Sequence, residues 1–413
     1  MNAVAPPSAF PTRIGFEQAL AIVAQQAARH LLPTEQAKLA DALSQVLACD
    51  VLAHGNVPSF ARSAMDGFAL RGAELPRAGE RTFELVGEVL AGAASVPMVG
   101  SGQCARVATG APMPAGADTV VIQENVQVND GRVRVGASER PGANVHVVGE
   151  TWRAGDVALS AGVRLGPREL AVPASLGLAT VSVRRAPRIA LIATGSELIP
   201  AGQPLGFGQI HESNTVMLAA MARQSTYEVV SQSHVRDDPD AIRTALLDAS
   251  RDADIVVTSG GMSAGSADYL PDVLAVAGSI HFHKVRLRPC IPLLFGELNG
   301  HLYFGLPGTP AGSAVGFQVF VQHAVRIMSG LMPFTTAGYA RLGAPLSRHR
   351  AQEELVRCSL RVDATGIQWA TLYGKRRPAA PPGIVEQDAL ALLPEGIREF
   401  TAGEVVALWP LEL

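Results

Sequence analysis

Three glycine-rich segments of this sequence combine residue types that suit the binding of a phosphate or another oxyanion. They are Thr194-Gly195-Ser196-Glu197, Thr258-Ser259-Gly260-Gly261 and Leu306-Pro307-Gly308-Thr309-Pro310-Ala311-Gly312-Ser313. Glycine lets backbone N–H groups approach a ligand closely, and a helix that begins after such a loop adds partial positive charge. Each segment alone is equally well explained as a simple turn, but three on one predicted rim favour a ligand site.

Three acidic residues near these segments could bind Mg²⁺ or a ligand hydroxyl. Glu197, Asp238 and Asp268 each lie near a predicted strand-to-helix junction, where carboxylates can face a bound ligand. Helix capping is the alternative for Asp238, because an aspartate directly before Pro239 is typical of an N-cap. Asp268, which follows Gly265-Ser266-Ala267, is better placed for direct contact with a ligand.

Two further motifs lie outside this part of the sequence. Ser63-Ala64-Met65-Asp66-Gly67-Phe68-Ala69 surrounds one carboxylate with apolar neighbours, and Thr109-Gly110 opens a stretch that leads to Asp118. Asp66-Gly67 and Thr109-Gly110 both read as turns, and their spacing alone predicts no function.

The glycine-rich segments follow strand-like runs at 188–194, 253–259 and 302–306. Helical stretches at 213–224, 239–251 and 313–329 alternate with these runs. Such an order predicts a doubly wound α/β sheet that binds ligands beyond the carboxyl ends of its strands. We therefore predict a central α/β domain over residues 187–332.

The first part of the chain contains two different kinds of sequence pattern. Apolar residues at helical spacing predict helices over 14–31 and 33–49, and the segment 146–186 adds a helix near Pro167 and the short strand VSVRR. Together, residues 1–52 and 146–186 predict an elongated helical domain. The intervening residues 53–145 predict a β-rich domain, with a hairpin over 126–135 about Asp130-Gly131.

The last part of the chain alternates apolar and polar residues. Val356, Cys358, Leu360 and Val362 predict one buried face of a strand, and the residues 363–366 predict a hairpin turn. Residues 333–413 therefore predict a small C-terminal β-barrel.

Composition excludes several classes of protein. A chain of 413 residues with 48% hydrophobic residues predicts several folded domains, and a net charge of −3 does not favour nucleic-acid binding. The four cysteines lack metal-binding or disulfide spacing, as expected in a reducing cytoplasm. The first residues do not resemble a signal peptide, and no apolar run is long enough to span a membrane. We expect a soluble cytoplasmic protein without membrane or nucleic-acid partners.

Taken in order, the motifs closely resemble those of the molybdenum-insertase family, called MoeA in bacteria and the gephyrin E domain in animals. The resemblance begins near residue 14 and covers nearly the whole chain. It rests on these segments: Met65-Asp66-Gly67-Phe68-Ala69, Thr109 to Val121 followed by Glu124, Thr194-Gly195-Ser196-Glu197-Leu198, Ile210-His211-Glu212-Ser213-Asn214, Asp237-Asp238 and Ser259 to Tyr269. Any one segment is moderately specific, whereas the ordered set is highly specific.

The resemblance implies a fold and a reaction. The fold has four domains, and the protein is a homodimer whose active sites each lie between the α/β domain of one subunit and the β-rich domain of the other. The reaction is Mg²⁺-dependent insertion of molybdenum, from molybdate, into adenylylated molybdopterin, with release of AMP. A molybdopterin adenylyltransferase and a recipient molybdoenzyme are the implied partners.

The resemblance also implies roles for individual residues. Catalytic roles fall on Asp66, Glu197, Asp238 and Asp268, and metal binding falls on Glu197 and Asp268. Residues implied to bind molybdopterin are Thr109, Gly110, Thr194, Gly195, Ser259, Gly260, Gly261, Ser263, Gly265, Arg288, Pro307, Gly308, Thr309 and Pro310.

The sequence departs from the family pattern on predicted ligand-binding loops. The family motif K-P-G-K-P reads Arg288-Pro289-Cys290-Ile291-Pro292, so one lysine becomes arginine and the other becomes an isoleucine that donates nothing. The family motif P-G-N-P-V-S reads Pro307 to Gly312, with the serine one position late, and G-E-D-I carries Thr151 in place of its aspartate. Lys284, Arg286 or His283 could supply the missing charge.

Three functions follow from this pattern as alternatives. The leading one is the molybdenum-transfer enzyme, and the second is a molybdopterin-binding paralogue, a carrier or scaffold, without efficient molybdate insertion. The third is an α/β domain that acts on another nucleotide or pterin, as in competence-damage-type proteins. Met65-Asp66-Gly67 argues against this last alternative, because a resemblance to competence-damage-type proteins would cover only the α/β part of the chain.

Overall fold

The computed structural model describes residues 10–261, 269–334, 336, 338–373 and 388–409. Its largest sheet contains seven strands, in the spatial order Thr12–Ile14, Gly278–Val285, Leu294–Leu298, His301–Leu306, Ile255–Ser259, Arg188–Thr194 and Glu228–Val235. Neighbouring strands run parallel except at Leu294–Leu298, which is antiparallel to both of its neighbours. This mostly parallel sheet confirms the predicted α/β architecture.

Helices cover both faces of the sheet because successive strand residues face two separate apolar cores. Ile189 and Leu191 lie in one core, and Ala190 and Ile192 lie in the other. The first face carries the helices Phe16–Ala27, Asn214–Gln224, Pro310–Gly316 and Gln322–Met328, the last two joined by the π-helical segment Phe317–Val321. The second face carries Pro239–Ala249 and Leu270–Ala277. The sheet is thus wound on both sides, as predicted.

The β-rich section contains a six-stranded sheet. Its strands are, in spatial order, Thr119–Ile122, Gly67–Leu70, Gln103–Val107, Glu80–Val89, Arg132–Gly136 and Val126–Asn129. The predicted hairpin is confirmed: Arg132 lies opposite Asn129, and Asp130 and Gly131 both have positive φ, of 45° and 71°. Two positive φ values give the turn the twist that a two-residue hairpin requires.

The predicted helix over 33–49 is wrong. Thr34–Lys38 is instead a strand that pairs antiparallel with Thr180–Arg184, and a single 3₁₀ turn, Leu39–Asp41, follows it. Leu43, one of the leucines whose spacing predicted this helix, is exposed. Pairing with a strand distant in sequence overrides a local preference for helix.

Other parts of the elongated section are closer to prediction. The helix predicted over 14–31 is the shorter Phe16–Ala27, and the helix near Pro167 is Pro167–Ser175. Val51–Leu52 pairs with Val157–Leu159 within this section, and Arg62–Ser63 pairs with Val145–His146 where the β-rich section meets it. Thr12–Ile14 and Phe16–Ala27, by contrast, pack into the α/β section. The domain limits themselves stay a prediction.

The C-terminal section forms a closed five-stranded barrel, as predicted. Its strands are Gly338–Leu342, Glu353–Val362, Gln368–Leu372, Ala389–Leu393 and Val405–Trp409, and the pairing of Glu353–Val362 with Ala389–Leu393 closes the ring. Val356, Cys358 and Leu360 pack in its core. Val362 does not, since it ends its strand beside the turn and is exposed.

A few short elements remain. A separate strand pair, Leu346–Arg348 with Arg398–Phe400, flanks the barrel, and Leu287–Arg288 pairs with the barrel residues Glu353 and Glu354. Two further strands, Leu198–Ile199 and Ile210–His211, pair beside the α/β sheet, and single 3₁₀ turns lie at Gly72–Glu74 and Gln123–Asn125. Within the described residues, every helix is too short or too polar to cross a lipid bilayer.

Candidate active site

A cleft of about 840 Å³ lies beyond the carboxyl ends of three neighbouring strands of the α/β sheet. These strands are Arg188–Thr194, Ile255–Ser259 and His301–Leu306, and the glycine-rich segments that follow them form the cleft wall. Eleven residues predicted to bind ligand line it: Thr194, Gly195, Glu197, Ser259, Gly260, Gly261, Arg288, Pro307, Gly308, Thr309 and Pro310. The topology therefore brings together segments that are far apart in the sequence.

Glycine at position 260 is required by the way two loops meet. Its φ is +98°, and a Cβ there would approach the carbonyl oxygen of Thr194 to 2.4 Å. The Gly260 N–H donates to the carbonyl of Leu306 at 3.2 Å. A side chain at this position would push all three cleft loops apart.

A network of hydrogen bonds joins the same loops beneath the cleft. Asn214 Nδ2 donates to Ser259 Oγ at 2.8 Å and to the carbonyl of Gly308 at 2.7 Å. Ser259 Oγ lies 2.7 Å from Ser313 Oγ, which donates to the carbonyl of Pro307 at 2.6 Å. Asn214 and Ser313 belong to the motifs named above but were not predicted as site residues. Their polar side chains beside glycine-rich loops are the feature of the sequence that could have indicated this role.

The carboxylates divide differently from the prediction. Glu197 lines the cleft, and so does Asp237, whose Oδ2 accepts a hydrogen bond from the Ser196 N–H at 2.9 Å. Asp238 does not belong to the cleft lining among the described residues; it caps the helix Pro239–Ala249 by accepting from the Ala241 N–H at 2.8 Å. Of the acidic pair, the capping interpretation therefore fits Asp238, and Asp237 is the residue that sequence reasoning missed.

Three predicted site residues lie outside the described residues. Ser263, Gly265 and Asp268 belong to the segment 262–268, which directly follows Gly261 on the cleft wall. Their predicted roles stay predictions.

Two cations line the cleft, Lys284 and Arg288. Of the three residues considered as substitutes for the missing lysine, Lys284 alone belongs to the described lining. Arg286 instead donates to Glu395 Oε1 at 2.7 Å, and burial, with the charge of Lys284, lowers the pKa of His283 to about 4. Lys284 has a left-handed backbone, φ +69°, a conformation that costs a non-glycine residue about 1–2 kcal/mol.

The substituted family motif contributes to the cleft and to the core at once. Ile291 lines the cleft with Arg288, so an apolar side chain stands where the resemblance implies a lysine. Cys290 is fully buried in the apolar core, with its Sγ 3.6 Å from the carbonyl of Gly312, and burial raises the pKa of its thiol. Cys290 therefore packs beneath the site and does not close the cleft.

Three buried polar atoms of the cleft residues have no hydrogen-bond partner within the described chain. They are Thr194 Oγ1, Asn214 Oδ1 and Arg288 Nε. Buried polar groups are nearly always hydrogen-bonded, so unpaired ones in a cleft mark places where a ligand can bind.

The motifs of the β-rich section form a second group of residues. Thr109 donates from its N–H to Asp66 Oδ1 at 2.6 Å and from its hydroxyl at 2.9 Å, and these bonds, the backbone one first, lower the pKa of Asp66. Gly110, with φ +80°, donates to the carbonyl of Ser63 at 2.8 Å. Asp66, Thr109 and Gly110 are absent from the described lining of the α/β cleft.

The departure at Thr151 lies away from the cleft. Thr151 is exposed, and its N–H donates to the carbonyl of Val57 at 2.8 Å. Its neighbour Glu150 contacts His146 Nδ1 at 2.8 Å. Position 151, where the carboxylate is missing, therefore lies at the connection between the elongated and β-rich sections.

The donor set of the cleft suits Mg²⁺ better than a transition metal. Among the described residues, no group of three or more His, Cys, Asp or Glu side chains could enclose a metal ion. Three described carboxylates nevertheless line the cleft, and because Glu212 accepts hydrogen bonds from the N–H and the hydroxyl of Thr215, Glu197 and Asp237 are left for an ion. Proteins usually hold Mg²⁺ through one or two carboxylates together with water and substrate phosphates, so these two residues fit that ion.

Family models match almost the whole chain. The MoeA N-terminal region (domain I and II) matches residues 14–177, a probable molybdopterin binding domain matches 190–327, and the MoeA C-terminal region (domain IV) matches 339–411. The second match contains every described residue that lines the cleft.

Individual relatives agree with these matches over nearly their full length. A molybdopterin molybdenumtransferase of Haemophilus influenzae is 30% identical over 91% of this chain and 94% of its own. One from a Nostoc species is 33% identical over 92% of this chain and 89% of its own. The crystal structure of a molybdopterin biosynthesis MoeA protein from Pyrococcus horikoshii superposes with a TM-score of 0.81 at 25% identity, covering 96% of this chain and all of the other. By sequence and by fold, the chain belongs to the molybdopterin molybdenumtransferase (MoeA) family.

Proposed function

We propose that this protein inserts molybdenum, supplied as molybdate, into adenylylated molybdopterin with release of AMP, in molybdenum cofactor biosynthesis. The observation that carries the proposal is the cleft itself. It unites three glycine-rich loops with the carboxylates of Glu197, Asp237 and Glu212 and the cations Lys284 and Arg288. Both substrates are anions, and a cleft with fixed donors and cations is suited to hold them.

The chain's own residues provide binding and orientation. Lys284 and Arg288 attract the phosphate and molybdate oxygens, and charge-assisted bonds of this kind are about twice as strong as neutral ones. The loops around Gly195, Gly260 and Gly308 bring backbone N–H groups close to the substrate. The hydrogen bonds of Asn214 hold two of these loops in place.

Glu197 and Asp237 would hold Mg²⁺, together with Asp268, which the resemblance implies as a metal ligand. When bound, the ion offsets the negative charge of the adenylate phosphate. The hydrogen bond from Ser196 to Asp237 fixes the orientation of that carboxylate before the ion binds.

The group formed by Asp66, Thr109 and Gly110 completes the site from a second copy of the chain. Because these residues are not in the described lining of the cleft, their predicted role requires a subunit that places its β-rich section over its partner's cleft. The protein is then a cytoplasmic homodimer. It receives its pterin from a molybdopterin adenylyltransferase and passes the product to a recipient molybdoenzyme.

The direct test is release of AMP. Purified protein with adenylylated molybdopterin, Mg²⁺ and molybdate should release AMP in proportion to pterin consumed, and should stop when molybdate or Mg²⁺ is omitted. Glu197→Gln should be inactive, whereas Asp248→Asn, on an exposed helix surface where Asp248 contacts Arg251, should match the wild type. Absence of AMP at millimolar molybdate would overturn the proposal.

A second function is favoured by one observation, the position of Ile291. Its apolar side chain lines the cleft where the resemblance implies a lysine, which suits a protein that binds molybdopterin without efficient molybdate insertion. In that case the wild type binds the pterin but releases AMP only after Ile291→Lys. Full turnover by the wild type would reject this alternative, and Lys284 in the same cleft is the reason to expect that result.

A further inference from the structure

The side-chain amide of Asn214 has both of its hydrogens engaged. Nδ2 donates one to Ser259 Oγ and the other to the carbonyl oxygen of Gly308. The helix Asn214–Gln224 begins at this residue, and Asn214 itself lines the cleft. The amide therefore has no donor left for a ligand.

The orientation of this amide is fixed by its partners. The carbonyl of Gly308 can only accept a hydrogen bond, so rotating the amide by half a turn would set two oxygens against each other. The neighbouring hydroxyls agree: Ser313 donates to the carbonyl of Pro307, so Ser259 donates to Ser313 and accepts from Asn214. Asn214 Oδ1 is consequently held in one direction.

Asn214 Oδ1 is buried and has no hydrogen-bond partner within the described chain. It is an acceptor with free lone pairs on a residue that lines the cleft. A phosphate or molybdate oxygen is also an acceptor and gains nothing beside it, whereas Arg288 Nε, likewise buried and unpartnered, is a donor that suits those anions. The cleft thus offers one place for an anion and one place for a neutral donor.

We propose that Asn214 Oδ1 accepts a hydrogen bond from a neutral hydroxyl or amino group of the bound substrate and thereby selects for that group. This inference rests on the proposed function, because the candidate donors are those of an adenylylated pterin. They are the ribose hydroxyls, the adenine amino group and the 2-amino group of the pterin. A site built to bond such a group rejects an analogue that lacks it.

Calorimetric titration of the full-length protein with matched ligands tests the proposal. The pairs are AMP with 2′-deoxy-AMP, AMP with 3′-deoxy-AMP, AMP with inosine monophosphate, and a 6-hydroxymethylpterin with its lumazine counterpart, in which a carbonyl replaces the 2-amino group. In the wild type, one pair should differ by about tenfold or more in Kd. In Asn214→Ala the same pair should bind with equal Kd.

Two further variants separate ligand recognition from support of the loops. Ser313→Ala breaks the hydroxyl network but leaves Asn214 in place, so it should lower affinity for both members of the pair and keep their ratio. Asn214→Asp loses both N–H donors but keeps an acceptor oxygen, so it should lower the melting temperature while retaining discrimination. A merely structural Asn214 would give the same ligand ratio in every variant.

The outcomes distinguish the inference from the function on which it rests. A pair whose Kd ratio collapses in Asn214→Ala and survives in Ser313→Ala supports the inference and identifies the donor. Ligands that bind with every ratio unchanged in Asn214→Ala overturn the inference alone. A wild-type protein that binds neither AMP nor the pterin at millimolar concentration overturns both.

Discussion

Thr109 donates two hydrogen bonds to one oxygen of Asp66, from its backbone N–H at 2.6 Å and from its hydroxyl at 2.9 Å. These bonds lower the pKa of Asp66 and keep its carboxylate ionised at neutral pH. Asp66 is exposed, so Asp66→Asn should fold normally. We expect it to reduce AMP release by about 10- to 100-fold, as loss of one charge-assisted hydrogen bond does.

The same variant tests the shared site. If each cleft is completed by the other subunit, mixing the weakly active Asp66→Asn with the inactive Glu197→Gln gives mixed dimers that carry one intact site each. Random pairing should then restore about a quarter of wild-type activity. Mixing Glu197→Gln with Asp237→Asn, both in the α/β cleft, should restore none. No recovery from the first mixture, despite dimer formation, would argue against the shared site.

Asp237 and Asp238 are adjacent in sequence but should respond differently to mutation. Asp237→Asn should raise the Mg²⁺ concentration needed for half-maximal AMP release, because Asp237 lines the cleft and would hold the ion. Asp238→Ala removes an N-cap and should lower the free energy of unfolding by about 1 kcal/mol. Mg²⁺ titrations of AMP release and urea unfolding of both variants measure the two effects. Equal Mg²⁺ responses in the two variants would contradict this assignment.

Lys284 should set the affinity for the anionic substrates. Lys284→Met removes a charge from the cleft and should raise the half-saturating molybdate or pterin concentration by about 10- to 100-fold. Arg286→Met is the matched control, since Arg286 bonds Glu395 instead. Its half-saturating concentrations should stay close to those of the wild type. Similar increases in both variants would show that Lys284 acts only through the overall charge.

Gly260→Ala should destabilise the protein and distort the cleft, because the added side chain pushes the cleft loops apart. A Cβ at this position would lie 2.4 Å from the carbonyl of Thr194, and φ is +98°. We expect a loss of about 2–4 kcal/mol of unfolding free energy, as for other strained backbone positions. Gly55→Ala, where a Cβ meets nothing within 4 Å, is the control. A normal melting temperature for Gly260→Ala would mean that the loops can separate freely.

His323 should make stability depend on pH. It is 3% exposed in the core, and burial lowers its pKa to about 4. The unfolded chain binds a proton near pH 6.5 and the folded chain does not, so stability is lost as pH falls from about 6.5 to 4, by up to about 3 kcal/mol. In His323→Gln this loss should be smaller, as seen in urea unfolding at several pH values. The exposed His54→Gln should keep the wild-type pH slope; an unchanged slope in His323→Gln would refute the prediction.

The α/β section was predictable because its elements repeat a strong local pattern. Arg188–Thr194 and Ile255–Ser259 are continuous apolar runs, which is what strands buried on both faces require. Thr34–Lys38 was not predictable, because its partner Thr180–Arg184 is distant in sequence. Helical spacing of leucines cannot reveal such a partner.

The cleft was predictable as a set of loops but not residue by residue. Glycines at strand ends identified the correct rim. Asp237 lines the cleft and Asp238 caps a helix because the turn directs their side chains differently. The spacing of residues in the sequence does not predict these directions. The position of Lys284 in the cleft was harder to predict, because its backbone is left-handed near the end of the strand Gly278–Val285. Such strain is set by tertiary contacts and leaves no pattern in the sequence.

The strand Thr12–Ile14, paired with Gly278–Val285 at the edge of the large sheet, has a consequence for biosynthesis. The ribosome produces the first strand and the helix Phe16–Ala27 long before their partner strand exists. Until then the apolar helix face that contains Phe16 and Val23 has no partner to pack against. This exposed face makes the nascent chain prone to aggregation. The α/β section therefore cannot be completed until Gly278–Val285 has been synthesised, and a pairing between segments so distant in sequence slows folding.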